Sequence, residues 1–283
     1  MSRVEYRLLE NSKLKILQSE NYNYQFDKKN GMFMRWGKCI KDDPDFSPFG
    51  PEIADIEIST ICSGVKGVGV CKFCYKSNTP KGTYMPLGTF ERLLEKLPKT
   101  VTQIAFGIGD IEANPDMWEI FKLCRLNGII PNVTVNGEGI TDEIADKLSS
   151  LCGAVAVSVY DKDKSYDTVK KLTDRGMTQV NIHFMICEET CDLAYEIMAD
   201  KLTDPRLEKL NAIVLLSLKP KGRASKSDYT RLSQEKFTAL VDFALCNKIG
   251  IGFDSCGCGK FVDAIKNSPD AEKYMQMAEP CES

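Results

Sequence analysis

A chain of 283 residues, 43% hydrophobic and 27% charged, has enough apolar material for one large core or for one domain with appendages. Its 37 lysines and arginines stand against 40 aspartates and glutamates, a formal net charge of −3. With no basic excess to neutralise a phosphate backbone, nucleic acid is disfavoured as a partner. The first twenty residues carry charges throughout and lack the apolar stretch of a signal peptide, and no apolar run approaches a bilayer span. The chain therefore reads as soluble and cytoplasmic, with no membrane partner. In a reducing compartment its 12 cysteines are not expected to form a disulfide framework, so metal ligation leads for any closely spaced set. The scattered Cys39, Cys124, Cys152 and Cys246 read as small buried hydrophobes.

No low-complexity segment or short-period repeat interrupts the chain. Residues 20–37 are predicted to form a hairpin, because aromatic-bearing runs at 22–26 and 32–36 flank the turn formers Asp27, Lys28, Lys29, Asn30 and Gly31. A polar, proline-bearing connector over 41–51 reads as a boundary. Strand 53–60 follows, then helix 87–97, opened by Thr89 as a cap and stopped by Pro98. Strand 102–108 leads to helix 115–127, with proline in its first turn and Gly128 after its end. Strand 130–135, helix 141–151 with its Thr-Asp-Glu start, strand 155–160 and helix 165–175, closed by Gly176, continue the alternation. Strand 180–186, helix 191–202, strand 212–218, helix 234–247 and a short strand 249–253 complete it.

Such alternation with short loops implies parallel strands joined by right-handed crossovers. The expected fold is α/β: a partial (β/α)6 TIM-like barrel of parallel strands with an N-terminal β-hairpin extension. An open doubly wound sheet is the alternative. Three segments are expected: 1–50 as the hairpin extension, 51–250 as the barrel core, and 251–283 as the start of a cysteine-containing extension.

In either kind of sheet, the residues that follow the strands gather at one end. There lie the cysteine loop 62–74, Gly107-Ile108-Gly109-Asp110, Asn136-Gly137-Glu138-Gly139, Ser158 and Tyr160, Cys187-Glu188-Glu189, and the run from Lys219 to Arg223. Within the first loop, Cys71 and Cys74 form a C-x2-C pair, and Cys62 adds a third thiol through a glycine-rich connection. Three ligands rather than four suit a reactive metal site with an open position, as in a cluster held by three thiolates. A zinc site completed by Cys187 or His183, a thiol redox pair, and coincidence remain open on spacing alone.

At these residues the chain resembles the radical S-adenosylmethionine (radical SAM) superfamily, in which a C-x3-C-x-aromatic-C trio follows the first strand of a partial barrel. Cys71-Lys72-Phe73-Cys74 matches the second half. Eight residues rather than three separate Cys62 from Cys71, and the five extra ones, rich in glycine and valine, are expected to bulge outward. The resemblance covers about residues 52–250. It implies a 4Fe–4S cluster on Cys62, Cys71 and Cys74, and S-adenosylmethionine against Phe73, Gly107, Gly109, Asp110, Asn136 and Ser158. Gly107 to Asp110 would take the place of the superfamily's Gly-Gly-Glu-Pro-like turn, so a bulky residue at Gly109 is expected to weaken cofactor binding and leave the cluster intact. His183 reads either as a cavity residue or as part of the core, and Lys219 and Arg223 as carboxylate partners or as a solvated loop.

The implied activity is reductive cleavage of S-adenosylmethionine to a 5′-deoxyadenosyl radical that abstracts a substrate hydrogen. A one-electron donor such as flavodoxin or ferredoxin would supply the electron, and the substrate would be a peptide, protein or small molecule. No catalytic side chain is singled out. The alternatives are a non-catalytic zinc or iron–sulfur module and a thiol oxidoreductase using Cys71 and Cys74. Cys256, Cys258 and Cys281 are similar to the start of a cysteine-rich, SPASM-like extension cut short; burial after the last strand is their other reading.

Overall fold

The computed structural model describes residues 5–39, 41, 42, 44, 46–276 and 278. Four antiparallel strands come first, β1 (Arg7–Glu10), β2 (Leu14–Gln18), β3 (Asn23–Asp27) and β4 (Phe33–Trp36), paired in chain order. The hairpin read from the sequence is the β3–β4 half of this sheet. Its turn is closed by the Asp27 carboxylate, which accepts from the Lys29 and Asn30 N–H groups, and by Gly31 at φ +75°. The two additional strands escape the pattern because β2 turns Lys15 and Leu17, not a run of apolar residues, onto its buried face.

Lys15 is 1% exposed, and its ammonium donates to the Val101 carbonyl at 2.7 Å. Burial pulls its pKa down. The Tyr24 hydroxyl donates to the Thr100 carbonyl at 2.7 Å, and Leu17, Tyr22, Tyr24 and Phe26 pack on Ile130. Thr100, Val101 and Ile130 lie where main-sheet strands begin, so the small sheet is seated at the end opposite the strand-following loops.

The main sheet has seven strands: β5 (Ile53–Glu57), β6 (Gln103–Gly107), β7 (Ile130–Val135), β8 (Val155–Ser158), β9 (Val180–Ile186), β10 (Ala212–Ser217) and β11 (Ile251–Phe253). They are hydrogen-bonded in chain order, and every neighbouring pair is parallel. Between them run α1 (Leu87–Lys96), α2 (Met117–Leu126), α3 (Asp142–Leu151), α4 (Lys162–Asp174), α5 (Cys191–Thr203) and α6 (Gln234–Cys246); α7 (Cys258–Ile265) and α8 (Ala271–Met275) follow β11. Right-handed crossovers that always step the same way put every helix on one face. The sheet therefore curls into a half-barrel, whereas a doubly wound sheet would reverse its strand order. Within the described residues β5 and β11 are not paired with each other, and the barrel is open.

The two faces differ chemically. Ile104, Phe106, Val133, Val135, Val157, Ile182, Phe184 and Leu215 are buried among the helices. The positions alternating with them include Glu57, Ala105, Gly107, Thr134, Ser158 and His183, which are small or polar and border a cavity. Period-two alternation thus builds an apolar outer layer and a polar concave wall.

Some local expectations shift. Thr89 lies inside α1 rather than capping it; the helix is preceded by Pro86 with no side-chain cap, and the Asp116 carboxylate accepts from the Leu87 N–H instead. Thr141 does cap α3, accepting from Ile144 N at 3.2 Å. Cys124 and Cys152 are buried as small hydrophobes, but Cys39 and Cys246 are exposed, Cys246 as the last residue of α6. Among the described residues no helix is long and apolar enough to cross a membrane.

Candidate active site at the C-terminal ends of the strands

A cavity of about 780 Å³ opens at the C-terminal ends of the main-sheet strands, a size suited to a cofactor-scale ligand. Cys62, Cys71, Cys74, Phe73, Gly107, Gly109, Asn136 and Ser158 all border it. Asp110 does not. Its carboxylate accepts from the Ser63 N–H at 2.7 Å, and its own N–H donates to the Ile61 carbonyl at 2.8 Å, so it holds the first turn of the cysteine loop.

The long interval between Cys62 and Cys71 is a closed knot. Gly69 N donates to Val65 O at 2.7 Å and Val65 N to Gly69 O at 3.2 Å, so residues 65–69 fold back on themselves. Gly64, at φ +79°, meets the chain beyond the knot: a Cβ there would lie 2.0 Å from the Gly69 carbonyl oxygen and 2.5 Å from Val70 N. Removing the knot from the frame leaves Cys62-Ser63-Gly64-Val70-Cys71, which is C-x3-C. Val65 anchors the knot at 2% exposure, while Val68 stands 55% exposed at its tip.

Neighbouring loops clamp this arrangement. The Glu138 carboxylate accepts from Lys66 N at 2.9 Å and from the Lys164 ammonium at 2.6 Å, and Lys164 also donates to the Lys66 carbonyl at 3.1 Å. The Lys164 hydrogen bond, with that from Lys66, holds the Glu138 carboxyl below the usual range. On the other side, Arg223 Nε donates to Cys71 O at 3.0 Å, Nη1 to Asn78 O at 2.7 Å, and its backbone N–H to Cys74 O at 3.0 Å. Arg223 therefore braces the loop and is not a free carboxylate partner. Gly109 is likewise a packing position: its Cβ would fall 2.0 Å from the Ile61 carbonyl oxygen and 2.8 Å from Cys62 Cβ. Bulk at Gly109 would strike the cysteine loop itself, which corrects the expectation that the cluster would be spared.

Asn136 Oδ1 accepts from Glu138 N at 3.0 Å, a local turn that leaves its amide nitrogen side for a ligand. Phe73 stacks on Tyr160 with ring centroids 6.0 Å apart and meets Tyr229 edge-on at 5.5 Å. The Tyr160 hydroxyl lowers the Cys71 pKa against the larger rise from burial. His183 borders the cavity, with Nδ1 3.5 Å from Thr134 Oγ1, and burial pushes its pKa down to about 4, leaving the imidazole neutral. Lys219 lies over the Tyr75 ring at 5.3 Å.

The sequence reading missed several wall residues. Asp55 and Glu57 alternate on β5 toward the cavity, and Glu57 pairs with Lys76 at 2.8 Å. Charge at alternating positions of a parallel strand was the available signal. Asn78 Oδ1 and Asp254 Oδ2 are buried without a hydrogen-bond partner among the described residues, and both residues border the cavity.

Burial pushes the Cys62 thiol up to about 11, with Asp110 and Cys71 adding to the rise, and burial also raises Cys71 against the Tyr160 hydrogen bond. A thiol redox pair works through a lowered pKa. Half-buried thiols such as these become ligands when a cationic metal holds them as thiolates.

Residues 56–180 match the model of the radical SAM superfamily. Over that stretch the chain is similar to the radical SAM superfamily. No curated protein matches it. Among solved structures, Streptococcus suis SuiB bound to S-adenosylmethionine aligns with a TM-score of 0.62 and 11% identity, over 97% of this chain and 78% of that one. SuiB bound to precursor peptide SuiA aligns at 0.60 and 12%, over 88% and 74%. Native anSMEcpe with bound AdoMet and Cp18Cys peptide aligns at 0.52 and 16%, over 75% and 66%. At these identities the likeness is one of fold.

The cofactors of a radical SAM enzyme are S-adenosylmethionine and a 4Fe–4S cluster, and the donor chemistry here fits them. Three thiols share one cavity wall, and the knot keeps their frame in the superfamily's order. Among the described residues no three histidine, cysteine, aspartate or glutamate side chains gather closely enough to share a single ion. Cys256 is exposed, and Cys258, the first residue of α7, is buried; Cys281 lies outside the described residues.

Proposed function

We propose that Cys62, Cys71 and Cys74 hold a 4Fe–4S cluster beside bound S-adenosylmethionine and that the enzyme acts on a peptide. The observation that carries this reading is the knot at 65–69, which supports a C-x3-C-x-aromatic-C frame at the mouth of the cavity. When bound, the cluster and S-adenosylmethionine supply one-electron bond cleavage and hydrogen abstraction. The chain's own residues bind, orient and exclude water. Asp110, Arg223 and Glu138 fix the cysteine loop; Gly107 leaves room for the Lys76 ammonium; Asn136 and Ser158 offer polar groups to the cofactor; and Phe73, Tyr160 and Tyr229 form an apolar shield beside Cys71. A flavodoxin- or ferredoxin-type partner would deliver the electron.

A peptide substrate is supported by the fold shared with SuiB bound to SuiA and with anSMEcpe bound to a peptide. Residues 51–250 would be the catalytic core, 1–50 an extension seated at its far end, and 251–283 a cysteine-containing extension. Iron analysis after anaerobic reconstitution tests the ligand set. Wild-type protein should carry about four irons per chain, and Ala at any one of the three cysteines should remove most of it. A full iron complement in Cys62→Ala would refute that ligand, and colourless zinc-loaded protein would refute the cluster.

A further inference from the structure

Within the described residues β5 has one neighbour in the main sheet, β6, and its other edge lies along the open side of the half-barrel. Thr102 N donates to Glu52 O at 2.8 Å and Ile58 N to Gly107 O at 2.9 Å, which fixes the phase of the ladder between them. Along a strand, residues whose N–H and C=O face one neighbour alternate with residues whose groups face the other way. Glu52, Ala54, Ile56 and Ile58 therefore turn toward β6. Ile53, Asp55 and Glu57 turn their backbone groups to the free edge, where no hydrogen bond from the described residues reaches them. These three residues are exposed.

Edge and cavity are continuous, because Asp55, Ile56 and Glu57 border the same cavity as Cys62, Cys71 and Cys74. A peptide laid along β5 would run beside that cavity, with every second side chain on the face of the sheet that carries Asp55. An unpaired strand edge is a template for another strand, and strand addition draws its affinity from main-chain hydrogen bonds. We infer that the free edge of β5 binds the peptide substrate as an added strand. This docking rests on the peptide reading above and gives that peptide its place. Charge then favours one feature of its sequence. Glu57 is paired with Lys76, whereas Asp55 has no ion-pair partner among the described residues. Opposite charges directly across a strand pair attract, so lysine or arginine is favoured at the peptide position facing Asp55.

The test uses the reconstituted full chain with S-adenosylmethionine present and the blocked heptapeptide Thr-Val-Thr-Lys-Thr-Val-Thr as probe. Hydrogen exchange over residues 53–57 should be fast at the outward amides of the free protein and slow once the peptide is bound. In calorimetric titrations, N-methylation of the peptide should weaken binding about 2- to 10-fold more at alternate residues than at those between them, the value of one main-chain hydrogen bond. Exchanging the lysine for norleucine should weaken binding by up to about fivefold, and Asp55→Asn should remove that difference. Asp55→Pro deletes one outward N–H and should weaken the unmodified peptide about 2- to 10-fold. The methylation scan needs no variant and stands even if one fails to fold. No measurable binding, binding without protection of 53–57, or a scan without alternation would overturn the inference. Protection that rises with protein concentration in the absence of peptide would overturn it too, by assigning the edge to a second copy of the chain. Saturable binding without protection of the edge leaves the peptide reading standing, and cofactor cleavage by the wild-type protein reports on the radical reading separately.

Discussion

Replacing Arg223 with Ala removes two charge-assisted hydrogen bonds from the cysteine loop, to Cys71 O and Asn78 O, across 152 and 145 residues of chain. Each such bond contributes about 1.5 kcal/mol or more, so the loop should lose about 3 kcal/mol of ordering. The backbone bond from Arg223 N to Cys74 O survives the change. If loop opening exposes the cluster, its iron should pass to a ferrous chelator about 100-fold faster, since about 1.4 kcal/mol is a factor of ten. Arg223→Lys keeps the charge but loses the planar fork and should fall between. The assay is anaerobic transfer of iron from reconstituted protein to a coloured chelator, with thermal unfolding as the control for global damage. Release within about twofold of wild type in Arg223→Ala, at equal starting iron, would refute the bracing role.

Gly109→Val should lose most of its cluster, because the first side-chain atom already overlaps the Ile61 carbonyl; full iron content in a folded variant would show that the loop can retreat. Glu138→Ala should loosen the knot and speed cluster release by up to about fivefold, an effect that shrinks in high salt because the Glu138–Lys164 pair is partly exposed. His183 should make the fold acid-sensitive. With its pKa near 4 in the folded protein and about 6.5 when unfolded, the unfolded chain takes up the proton first, so stability falls as pH drops from about 6.5 to 4, by up to about 3 kcal/mol. Denaturant midpoints of His183→Asn should decline less over that window; parallel profiles would remove His183 from the explanation.

Much of the half-barrel was legible because its strands and helices alternate with short loops and clear caps such as Thr141. The strand-following loops could be gathered at one end from topology alone. The cysteine trio was legible from Cys71, Phe73 and Cys74, while the frame of Cys62 needed the structure, since only coordinates show Gly64 meeting Val70. Roles that depend on distant chain segments were out of reach. Arg223 on Cys71, Gly109 on Ile61 and Asp254 on Ser217 are contacts that no local spacing encodes. Strand β2 was hidden for another reason: Lys15 sits on the buried face, satisfied by a backbone carbonyl, and breaks the apolar alternation on which strand recognition rests.

Anaerobic release of 5′-deoxyadenosine tests the radical chemistry most directly. Reconstituted wild-type protein, chemically reduced and supplied with S-adenosylmethionine, should release it steadily, and the Ala variants of Cys62, Cys71 and Cys74 should release none. No release from wild-type protein carrying a full cluster, or undiminished release from any of the three variants, would contradict the assignment.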